Sequence, residues 1–412
     1  MPSLRMMKRK NPLLAIAGGG IAGLASALFL ARSGFEVMVF EKEQQIQTKG
    51  AGIQLSPNAF KILDSIGLTH HLKADGYFPD HINIRSGLNM QLLTRFPLGE
   101  QIRHRYGAPY LLIHRADLLH RLLDACKSEH AVHLFFDHKV YNAFPHAHGI
   151  KILVRNGEIY DEYLVTALVG ADGVWSTIRK QLEGAIEPEF SHTVAWRTLL
   201  PHNEVDEKIL TSSIELWLGP NAHIVTYPVR DAFNIVAITP FLSDKNPDSG
   251  RIKDRNRKNR LSFFIHWHDS ARHLVNLTSD WEGWPIYSLI KPHKPFKEKN
   301  GLPICLVGDA AHTMLPFAAQ GSASALEDAA ILAKWCHQTP EDLETSFKNY
   351  AKERHGRIKY MIKLSAQNRL IYHASGLVSC ARDWILQLIG NKIINHRTAR
   401  LYSWTADSSS PP

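Results

Sequence analysis

The sequence is poor in cysteine and lacks long apolar runs. Its 4 cysteines among 412 residues form neither a CxxC pair nor a spacing suited to metal ligands. We therefore predict packing thiols, a reducing cytoplasmic location and no metal site. No segment offers the ~18 uninterrupted apolar residues of a membrane-spanning helix. The most apolar segment, residues 13–31, is interrupted by glycines. It follows a basic start, and the two together mimic a signal peptide.

The charge pattern excludes a further class of partner. The formal net charge is +9, but the basic residues are scattered, and only Arg251–Arg260 forms a dense run. A short basic run of this kind is typical of a solvated loop, so we predict no nucleic-acid partner. Membrane contact is expected to be peripheral at most, and the protein is expected to be a monomer or a homodimer.

A glycine-rich turn near the start of the chain is the most informative segment that is present. The sequence GGGIAG at Gly18–Gly23 follows the apolar run Leu13–Ala17 and precedes the helix-forming run Leu24–Arg32. A second apolar run, Glu36–Phe40, then ends at Glu41. This order of strand, glycine turn, helix, strand and acid is the dinucleotide-binding fingerprint. It also accounts for the apolar start, so we expect neither signal cleavage nor a membrane span.

Each residue of this fingerprint has a physical task. Gly18 permits the tight turn, Gly20 lets a pyrophosphate approach the backbone, and Gly23 lets the helix pack closely on the sheet. The free N–H groups at the start of the helix attract phosphate. Glu41 is suited to bind the hydroxyls of an adenosine ribose and disfavours a 2′-phosphate. The predicted nucleotide is therefore FAD or NAD rather than NADP.

Two kinds of strand pattern follow along the chain, and together they predict the fold class. Short buried runs followed by helices are typical of a parallel sheet; these are Leu111–His114, Tyr163–Gly170 and Ile304–Gly308. Closely spaced runs separated by turns indicate an antiparallel sheet; these are Ile214–Leu218, His223–Val229 and Phe233–Thr239. We predict an α/β protein, a Rossmann-type nucleotide domain interrupted by a β-rich substrate domain.

The pattern also predicts domain boundaries and the helices that close the chain. The nucleotide domain is expected to comprise residues 1–79, 108–182 and 285–372, the β-rich domain 80–107 and 183–284, and a C-terminal segment 373–412. Helices are predicted at Gly321–Cys336, at Thr345–Tyr372 and at Leu377–Leu388, with the last one ending near Gly390. The tail Asp407–Pro412 is expected to be disordered.

Further motifs identify a family. The sequence GADGVWSTIR at Gly170–Arg179 follows an apolar strand, and GDAAH at Gly308–His312 precedes Pro316, Gly321 and the pair Glu327–Asp328. Together with the glycine turn they resemble the three motifs of the class A flavoprotein monooxygenases, the single-component aromatic hydroxylases. The salicylate and 3-hydroxybenzoate hydroxylase branch is the most similar, through three segments: Gly50–Ala59, His114–Leu118 and Trp284–Tyr287.

This resemblance implies cofactors and a reaction. FAD would be reduced by NADH or NADPH, O₂ would add to the reduced ring, and a flavin C4a-hydroperoxide would hydroxylate a small aromatic substrate, a phenol or an aromatic acid. Which aromatic compound and which nicotinamide cofactor are used stays open. Three places depart from the family pattern and affect individual flavin contacts. Relatives carry an arginine near Gln47, where only Lys49 is close here; Thr313 stands in place of a proline, and Ser322–Ser324 in place of an asparagine.

The resemblance also implies roles for individual residues at the cofactor. Asp309 would accept hydrogen bonds from the ribitol hydroxyls, and Arg115 would contact the FAD ribose and pyrophosphate. Asp172 would serve FAD and NAD(P)H together; its alternative role is to cap the next helix. The helix beginning at Gly321 would direct its N-terminus at the flavin, where its dipole stabilises negative charge on the reduced ring.

Proton transfer from the substrate requires a titratable group in the β-rich domain. His223 and Tyr227 lie four residues apart on one predicted strand and hence on one face, ahead of Pro228–Arg230 as in the related hydroxylases. A histidine is suited to accept a phenolic proton near neutral pH. The alternative is that both are ordinary sheet residues. His312 is interpreted as part of the loop structure, and Pro316 and Phe317 are expected near the flavin.

Three other functions remain as alternatives. A ubiquinone-type ring hydroxylase acting at a membrane surface shares the motifs, and the amphipathic stretch Leu377–Leu401 permits it. A flavin-dependent halogenase is disfavoured because Trp281–Ile286 has the wrong spacing for its WxWxIP motif. A flavin-binding protein without catalysis is the third.

Overall fold

The computed structural model describes residues 12–46, 51–182, 185–206, 210–242, 247, 252–253, 257–289 and 303–406. Met1–Lys10, Gln47 and the tail Asp407–Pro412 lie outside these residues, as do residues 251 and 254–256 of the basic run Arg251–Arg260. The strands are β1 Leu13–Ala17, β2 Glu36–Glu41, β3 Gly52–Leu55, β4 His81–Ser86, β5 Leu92–Pro97, β6 Leu111–His114, β7 Val132–Phe136, β8 Lys139–His146, β9 Gly149–Asn156, β10 Ile159–Val165, β11 Ala167–Gly170, β12 Glu189–Pro201, β13 Ile214–Gly219, β14 Ala222–Val229, β15 Ala232–Pro240, β16 Ile252–Lys253, β17 Glu282–Ser288 and β18 Ile304–Leu306.

The helices alternate with these strands in the nucleotide domain and dominate the end of the chain. They are α1 Ile21–Arg32, α2 Pro57–Ser65, α3 Thr69–Asp75, α4 Gly99–Tyr106, α5 Arg115–Ser128, α6 Thr177–Gln181, α7 Arg257–Ser262, α8 Asp269–Asn276, α9 Asp309–His312, α10 Gly321–Gln338, α11 Leu343–Tyr372 and α12 Gly376–Tyr402. A short 3₁₀ turn at Pro316–Ala318 precedes α10.

A five-stranded parallel sheet forms the centre of the molecule. Its strand order is β18-β11-β1-β2-β7, with the glycine turn directly after the central strand β1. Side chains alternate across β1, as the two faces of a strand require. Leu14 and Ile16 pack towards α1, α5 and α10, whereas Ala15 and Ala17 pack towards the three-stranded sheet β8–β10. The predicted α/β class with a Rossmann-type sheet is therefore confirmed.

Two of the predicted parallel strands are placed differently. Leu111–His114 forms β6, but it pairs antiparallel with β3 in a separate two-stranded sheet. Tyr163–Gly170 is divided into β10 and β11, because the chain leaves one sheet and enters another at Thr166. The hydroxyl of Thr166 accepts a hydrogen bond from the Leu13 N–H, and the Thr166 N–H donates to the Leu13 carbonyl. These bonds fix the change of direction.

The β-rich part is a single eight-stranded sheet of order β16-β17-β12-β15-β14-β13-β4-β5. The three strands predicted between Ile214 and Thr239 are present as β13, β14 and β15, and adjacent members pair antiparallel. The hairpin β4–β5, from an earlier part of the chain, joins this sheet by parallel pairing with β13. One face of the sheet is covered by α8 and the aromatic side chains of Trp217, Phe264 and Trp267.

The last two helices pack across the other side of this sheet. The predicted helix end near Gly390 is wrong, because α12 continues without interruption to Tyr402. A Cβ at Gly390 would lie 2.8 Å from the Cβ of Thr94 on β5, so the glycine is there for close packing and not to end the helix. Among the described residues no helix combines the length and the apolar character needed to cross a membrane.

Candidate functional site

The glycine turn is shaped by its contacts with the neighbouring backbone. Gly18 has φ +110°, and a Cβ there would lie 2.4 Å from the Ala171 carbonyl oxygen. A Cβ at Gly23 would lie 1.8 Å from the Gly18 carbonyl oxygen, so helix α1 can approach the turn only if this residue is glycine. A Cβ at Gly20 would meet no atom within 4 Å. The turn is thus closed on the protein side and open at Gly20, in front of the N-terminus of α1.

Glu41 is held beside this turn. Its Oε2 accepts a hydrogen bond from the Gly19 N–H at 2.6 Å, and its Oε1 accepts from the Glu43 N–H at 3.0 Å. A carboxylate oxygen has lone pairs for more than one donor, so both oxygens keep acceptor capacity for a ligand hydroxyl. The arrangement fits the predicted recognition of a ribose.

Arg115 and Asp309 are close enough for their charges to interact. Arg115 begins α5, and Asp309 follows β18 through Gly308. Burial lowers the pKa of Arg115, and the negative charges of Asp309 and Glu41 oppose that shift. Among the described residues no carboxylate lies within 4.0 Å of the Arg115 guanidinium. The guanidinium is thus a cation with charge neighbours but no direct ion pair, which suits an anionic ligand.

Asp309 is exposed at the surface of the site, but neighbouring protein groups partly remove water from its carboxyl. Its side chain is exposed, yet the loss of water around the carboxyl raises its pKa, against the influence of His312 and Arg115. Gly308, just before it, has φ +59°, and a Cβ there would lie 2.8 Å from the Cβ of Ala22 in α1. The tight glycine contact brings Asp309 next to the start of α1.

A buried ionic network supports this loop from behind. Asp328 on α10 accepts hydrogen bonds from the Gly308 N–H at 2.8 Å and from His312 Nε2 at 2.5 Å. Arg354 on α11 donates to Asp328 at 2.7 Å and to Glu327 at 2.6 Å. The interpretation of His312 as a structural residue agrees with this contact. The sequence motif included both acids, but nothing in it indicated their arginine partner.

The same network reaches the start of α10. Glu327 accepts a hydrogen bond from the Asn58 amide at 2.7 Å, and Asn58 also donates to the side chain of Gln320 at 3.2 Å. Gln320 is the residue before Gly321, where α10 begins. A Cβ at Gly321 would meet no atom within 4 Å, so the N-terminus of α10 is open to a ligand.

Asp172 is engaged within the protein. Its carboxylate accepts hydrogen bonds from the Ser176 hydroxyl, from the Thr177 N–H at 2.6 Å and from the Ile178 N–H at 3.1 Å. These are contacts of a helix cap, the alternative role expected for this residue. Arg179 is fully buried and donates to the carbonyl oxygens of Ala310 and Val174. It thereby ties this loop to α9.

A cavity of about 190 Å³ lies between the β-rich sheet, the 3₁₀ turn and the helices α11 and α12. Its walls are largely aliphatic and aromatic, and Pro316 and Phe317 contribute to them. The polar side chains in its wall include Gln54, Tyr110, His223, Asn368, Arg397 and Tyr402. Because the turn that lines the cavity leads into Gly321, the cavity lies next to the start of α10.

His223 and Tyr227 lie on β14 and are both buried. His223 lines the cavity, and its Nδ1 lies 2.8 Å from Nε2 of His373. Tyr227 packs with Tyr110 and Tyr402 in the adjoining core, and its hydroxyl donates to the Gly52 carbonyl at 2.7 Å. Burial raises the pKa of Tyr227 above its usual range, whereas burial and then His373 lower the pKa of His223 well below its own.

Arg197 is a site residue that the sequence analysis missed. It lies on β12, and burial lowers its pKa, while Tyr227 and Arg115 are its charged or ionisable neighbours. Its guanidinium lies over the Trp284 ring at 5.8 Å, and its Nε has no hydrogen-bond partner among the described residues. Arg197 is only partly exposed, and a buried donor such as its Nε is costly unless a ligand satisfies it. The preceding tryptophan and the β-strand pattern gave no signal for this role.

These features fit a flavin dinucleotide. The open glycine turn has room for a pyrophosphate, and Arg115 and Arg197 could supply positive charge for the phosphates and for the reduced ring. Glu41 and Asp309 offer acceptors to the ribose and ribitol hydroxyls. Within the described ranges no cluster of three or more histidine, cysteine, aspartate or glutamate residues is arranged to hold a metal ion.

Comparison with known proteins agrees with this site. The family described as FAD binding domain matches residues 12–365. The 3-hydroxybenzoate 6-hydroxylase of Polaromonas naphthalenivorans is 30% identical over 89% of this chain and 90% of its own length. The 6-hydroxynicotinate 3-monooxygenase of Bordetella bronchiseptica is 30% identical over 87% of this chain and 91% of its own length.

Solved structures show the same fold. HpxO of Klebsiella pneumoniae, complexed with FAD and uric acid, has a TM-score of 0.81 at 23% identity and covers 95% of this chain and 97% of its own. A salicylate hydroxylase substrate complex has a TM-score of 0.78 at 22% identity, with 97% of each chain covered. The chain therefore belongs to the FAD binding domain family and is an FAD-dependent enzyme of the class A flavoprotein monooxygenases.

Proposed function

We propose that this monooxygenase uses NADH or NADPH and O₂ to hydroxylate a small phenol or aromatic acid. The observation that carries the proposal is the cavity of about 190 Å³ beside the FAD site, with His223 in its wall. Among its relatives are a 3-hydroxybenzoate 6-hydroxylase and a 6-hydroxynicotinate 3-monooxygenase, whose named substrates are hydroxylated aromatic acids. FAD, when bound, supplies the redox chemistry that activates oxygen.

The cavity residues would bind and orient such a substrate. The apolar walls enclose an aromatic ring and exclude water. Arg397 lines the cavity and donates to the Asn368 side chain at 2.8 Å, and no carboxylate lies within 4.0 Å of it in the described part of the chain. Its positive charge suits a carboxylate on the ring. His223 Nε2, which has no hydrogen-bond partner among the described residues, would take the phenolic proton.

The residue assignments and the domain division belong to the same proposal. FAD would be bound through Gly18, Gly20, Gly23, Glu41, Arg115, Asp172, Asp309 and Gly321. The domain division is supported by the separation between the parallel sheet and the eight-stranded sheet, with the boundary at 285 falling inside β17 of the latter. A reducing, cytoplasmic location is supported by the free thiols of all four cysteines. We retain the proposal of a monomer or homodimer, which light scattering tests.

A screen of hydroxylated aromatic acids and phenols tests the function. The FAD-loaded protein should oxidise NADH or NADPH faster when the right compound is present, consume one O₂ for each, and form a product heavier by one oxygen. Oxidation of the nicotinamide that yields only H₂O₂ with every compound would contradict a hydroxylase. Failure of the flavin to be reduced at all would indicate a flavin-binding protein without catalysis.

A ring hydroxylase acting at a membrane surface is a second candidate, favoured by the outer face of α12. This face carries exposed apolar side chains, with Leu377 89%, Trp384 65% and Leu388 61% exposed. Exposed Lys392 lies on the same helix, and Asp383, the acid of α12, is paired with Arg382. Apolar and basic groups together suit an anionic lipid surface.

Sedimentation with vesicles separates the two candidates. Binding to vesicles that contain phosphatidylglycerol, reduced by Trp384→Ser and by added salt, would favour the membrane enzyme and an alkylated phenol as substrate. Absence of binding, with full activity on water-soluble aromatic acids, would exclude it. The conservative exchange Lys348→Arg on α11 is a matched control, because it keeps the charge and leaves α12 unchanged.

We predict that the purified protein is yellow and releases FAD on acid precipitation, and that Asp309→Ala weakens FAD binding. Loss of a charged acceptor opposite the ribitol hydroxyls removes a hydrogen bond of about 1.5–3 kcal/mol, which corresponds to a Kd roughly 10- to 100-fold higher. Fluorescence titration of the apoprotein with FAD measures it. Asp309→Asn keeps a hydrogen-bond acceptor and should therefore lose less FAD affinity than Asp309→Ala. Equal affinity of all three proteins would contradict the role.

For Asp172 we predict slower flavin reduction with the flavin still bound. Asp172→Ala removes both the charge and the hydrogen bonds that Asp172 accepts from the Thr177 and Ile178 N–H groups, whereas Asp172→Asn keeps an acceptor there and Ser176 caps α6 in both variants. Stopped-flow reduction by NADH or NADPH should be slower in both variants, while the thermal midpoint should fall mainly in Asp172→Ala, since the loss of an acceptor for N–H groups at a helix start costs about 1 kcal/mol. Normal reduction in both variants would leave Asp172 only its capping role.

A further inference from the structure

A pair of histidines connects the cavity with the protein surface. Nδ1 of His223 on β14 and Nε2 of His373 at the end of α11 are 2.8 Å apart. His223 is 2% exposed, whereas His373 is partly exposed. Between two neutral imidazoles this distance requires that one nitrogen donates its proton and the other accepts it. The two rings therefore share one proton.

The surroundings of the pair hold both rings neutral. The rings of Phe317 and Tyr372 pack against His223 at centroid distances of 5.1 Å and 5.4 Å. Burial, and then the charge of Arg369, lower the pKa of His373 to about 4. The pKa of His223 is also lowered, first by burial and then by His373. A histidine in this setting accepts a proton readily only if it can pass another one on at once.

The position of His373 is fixed by the backbone. Its carbonyl accepts from the Asn221 N–H at 3.2 Å, in the turn between β13 and β14, and its own N–H donates to the Arg369 carbonyl at 3.1 Å. The end of α11 is thus attached to the hairpin that carries His223. This attachment explains how two residues 150 positions apart keep their rings in contact.

We propose that His373 carries the phenolic proton of the substrate from His223 to solvent. The inference rests on the proposed function, in which His223 receives that proton. The O–H bond of the phenol breaks and its proton binds Nε2 of His223, the ring nitrogen that does not contact His373. The proton on Nδ1 of His223 passes to Nε2 of His373, and Nδ1 of His373 releases its proton to water. Both rings end neutral, one proton reaches the solvent, and the substrate remains as phenolate.

His373→Gln and His373→Ala test the relay. A glutamine amide can hold His223 by a hydrogen bond but does not carry a proton onward. Mixing the oxidised, FAD-loaded protein with 3-hydroxybenzoate, or with the phenol that gives most product in the screen, should release a proton that phenol red detects in weak buffer by stopped flow. We expect release to be about 10²-fold slower in both variants, at the lower end of general-base effects. Added imidazole should restore the rate in His373→Ala but not in His373→Gln.

Other outcomes would overturn the relay. If His373→Gln releases the proton at the wild-type rate while His373→Ala does not, His373 only positions His223. If the wild-type protein forms product in the screen but releases no proton on binding the same phenol, the relay is wrong and the hydroxylase stands. If no phenol yields product, the proposed function fails instead. His133→Gln, at an exposed histidine paired with Glu36, is the matched control and should release the proton normally.

Discussion

Arg354→Met should lower the free energy of unfolding by about 3–5 kcal/mol, the cost of breaking a buried ion pair from one side. Arg354 donates to Asp328 at 2.7 Å and to Glu327 at 2.6 Å, and the three side chains are at most 1% exposed. Methionine fills a similar volume but leaves both carboxylates without their shared cation. FAD retention should fall too, because Asp328 holds the Gly308 N–H beside Asp309.

The same network predicts a pH dependence. Burial by itself would raise the pKa of Glu327, but Arg357 and Arg354 outweigh it and lower the pKa; for Asp328, His312 and Arg354 do the same. A carboxyl whose folded pKa lies below its unfolded pKa stabilises the protein above the unfolded pKa, about 4. This contribution disappears as the pH falls through the folded pKa. Arg354→Met should therefore lose less stability than the wild type between pH 7 and pH 3.

Urea unfolding across this pH range measures both effects. The control is Lys348→Met on the same helix, which breaks the exposed pair with Glu344 and should cost at most about 1 kcal/mol. Equal losses in Arg354→Met and Lys348→Met would mean that the network contributes no more than a surface pair. A pH dependence unchanged by Arg354→Met would show that the two carboxyls do not depend on this cation.

The parts of the fold that could be predicted are those in which neighbouring residues determine the structure. The glycine turn at Gly18–Gly23 is specified by adjacent strand, turn and helix patterns, and each agrees with the structure. The pairing of Leu111–His114 is different, because a short buried strand has the same pattern in a parallel and in an antiparallel sheet. Gly390 was misinterpreted for a similar reason. A glycine that packs against Thr94 and a glycine that ends a helix look alike in sequence.

Contacts between distant residues limited the prediction of the site. The contact of His223 with His373 spans 150 positions, and that of Glu327 with Arg354 spans 27. No local pattern indicates such pairs. The charge of a residue is visible in the sequence, but its burial and its partner are not. For this reason the sequence motif contains Glu327 and Asp328 but does not indicate that they bind a buried arginine. Arg197 is not indicated by the sequence at all.

The structure distinguishes the two proposed proton acceptors, because only one of them can take up a proton. The Tyr227 hydroxyl donates to the Gly52 carbonyl at 2.7 Å, and burial raises its pKa, so the phenolic proton of Tyr227 is retained. Its remaining lone pairs can accept a hydrogen bond but do not take a proton. His223 lines the cavity and has a ring nitrogen free to accept one. We therefore expect His223 to act as the base and Tyr227 to support the cavity wall through its hydrogen bond to Gly52.

His223→Ala should depress hydroxylation about 10²- to 10⁴-fold, the usual contribution of a general base, while FAD remains bound. The ring is then not activated, and the reducing equivalents are lost as H₂O₂. The ratio of H₂O₂ to NAD(P)H consumed should therefore rise. Tyr227→Phe removes one hydrogen bond and should depress the rate less. Product analysis together with H₂O₂ and O₂ measurement gives rate and coupling in the same assay.

The pH dependence of the His223→Ala variant provides the control. A substrate that arrives as phenolate needs no base, so the defect should shrink as the pH approaches the pKa of the phenol and should vanish above it. A defect of the same size at every pH would mean that His223 shapes the cavity and does not transfer the proton. If His223→Ala and Tyr227→Phe both keep the wild-type rate and coupling on the true substrate, neither residue is the base. The proton would then leave through another cavity residue or through ionisation of the substrate in solution.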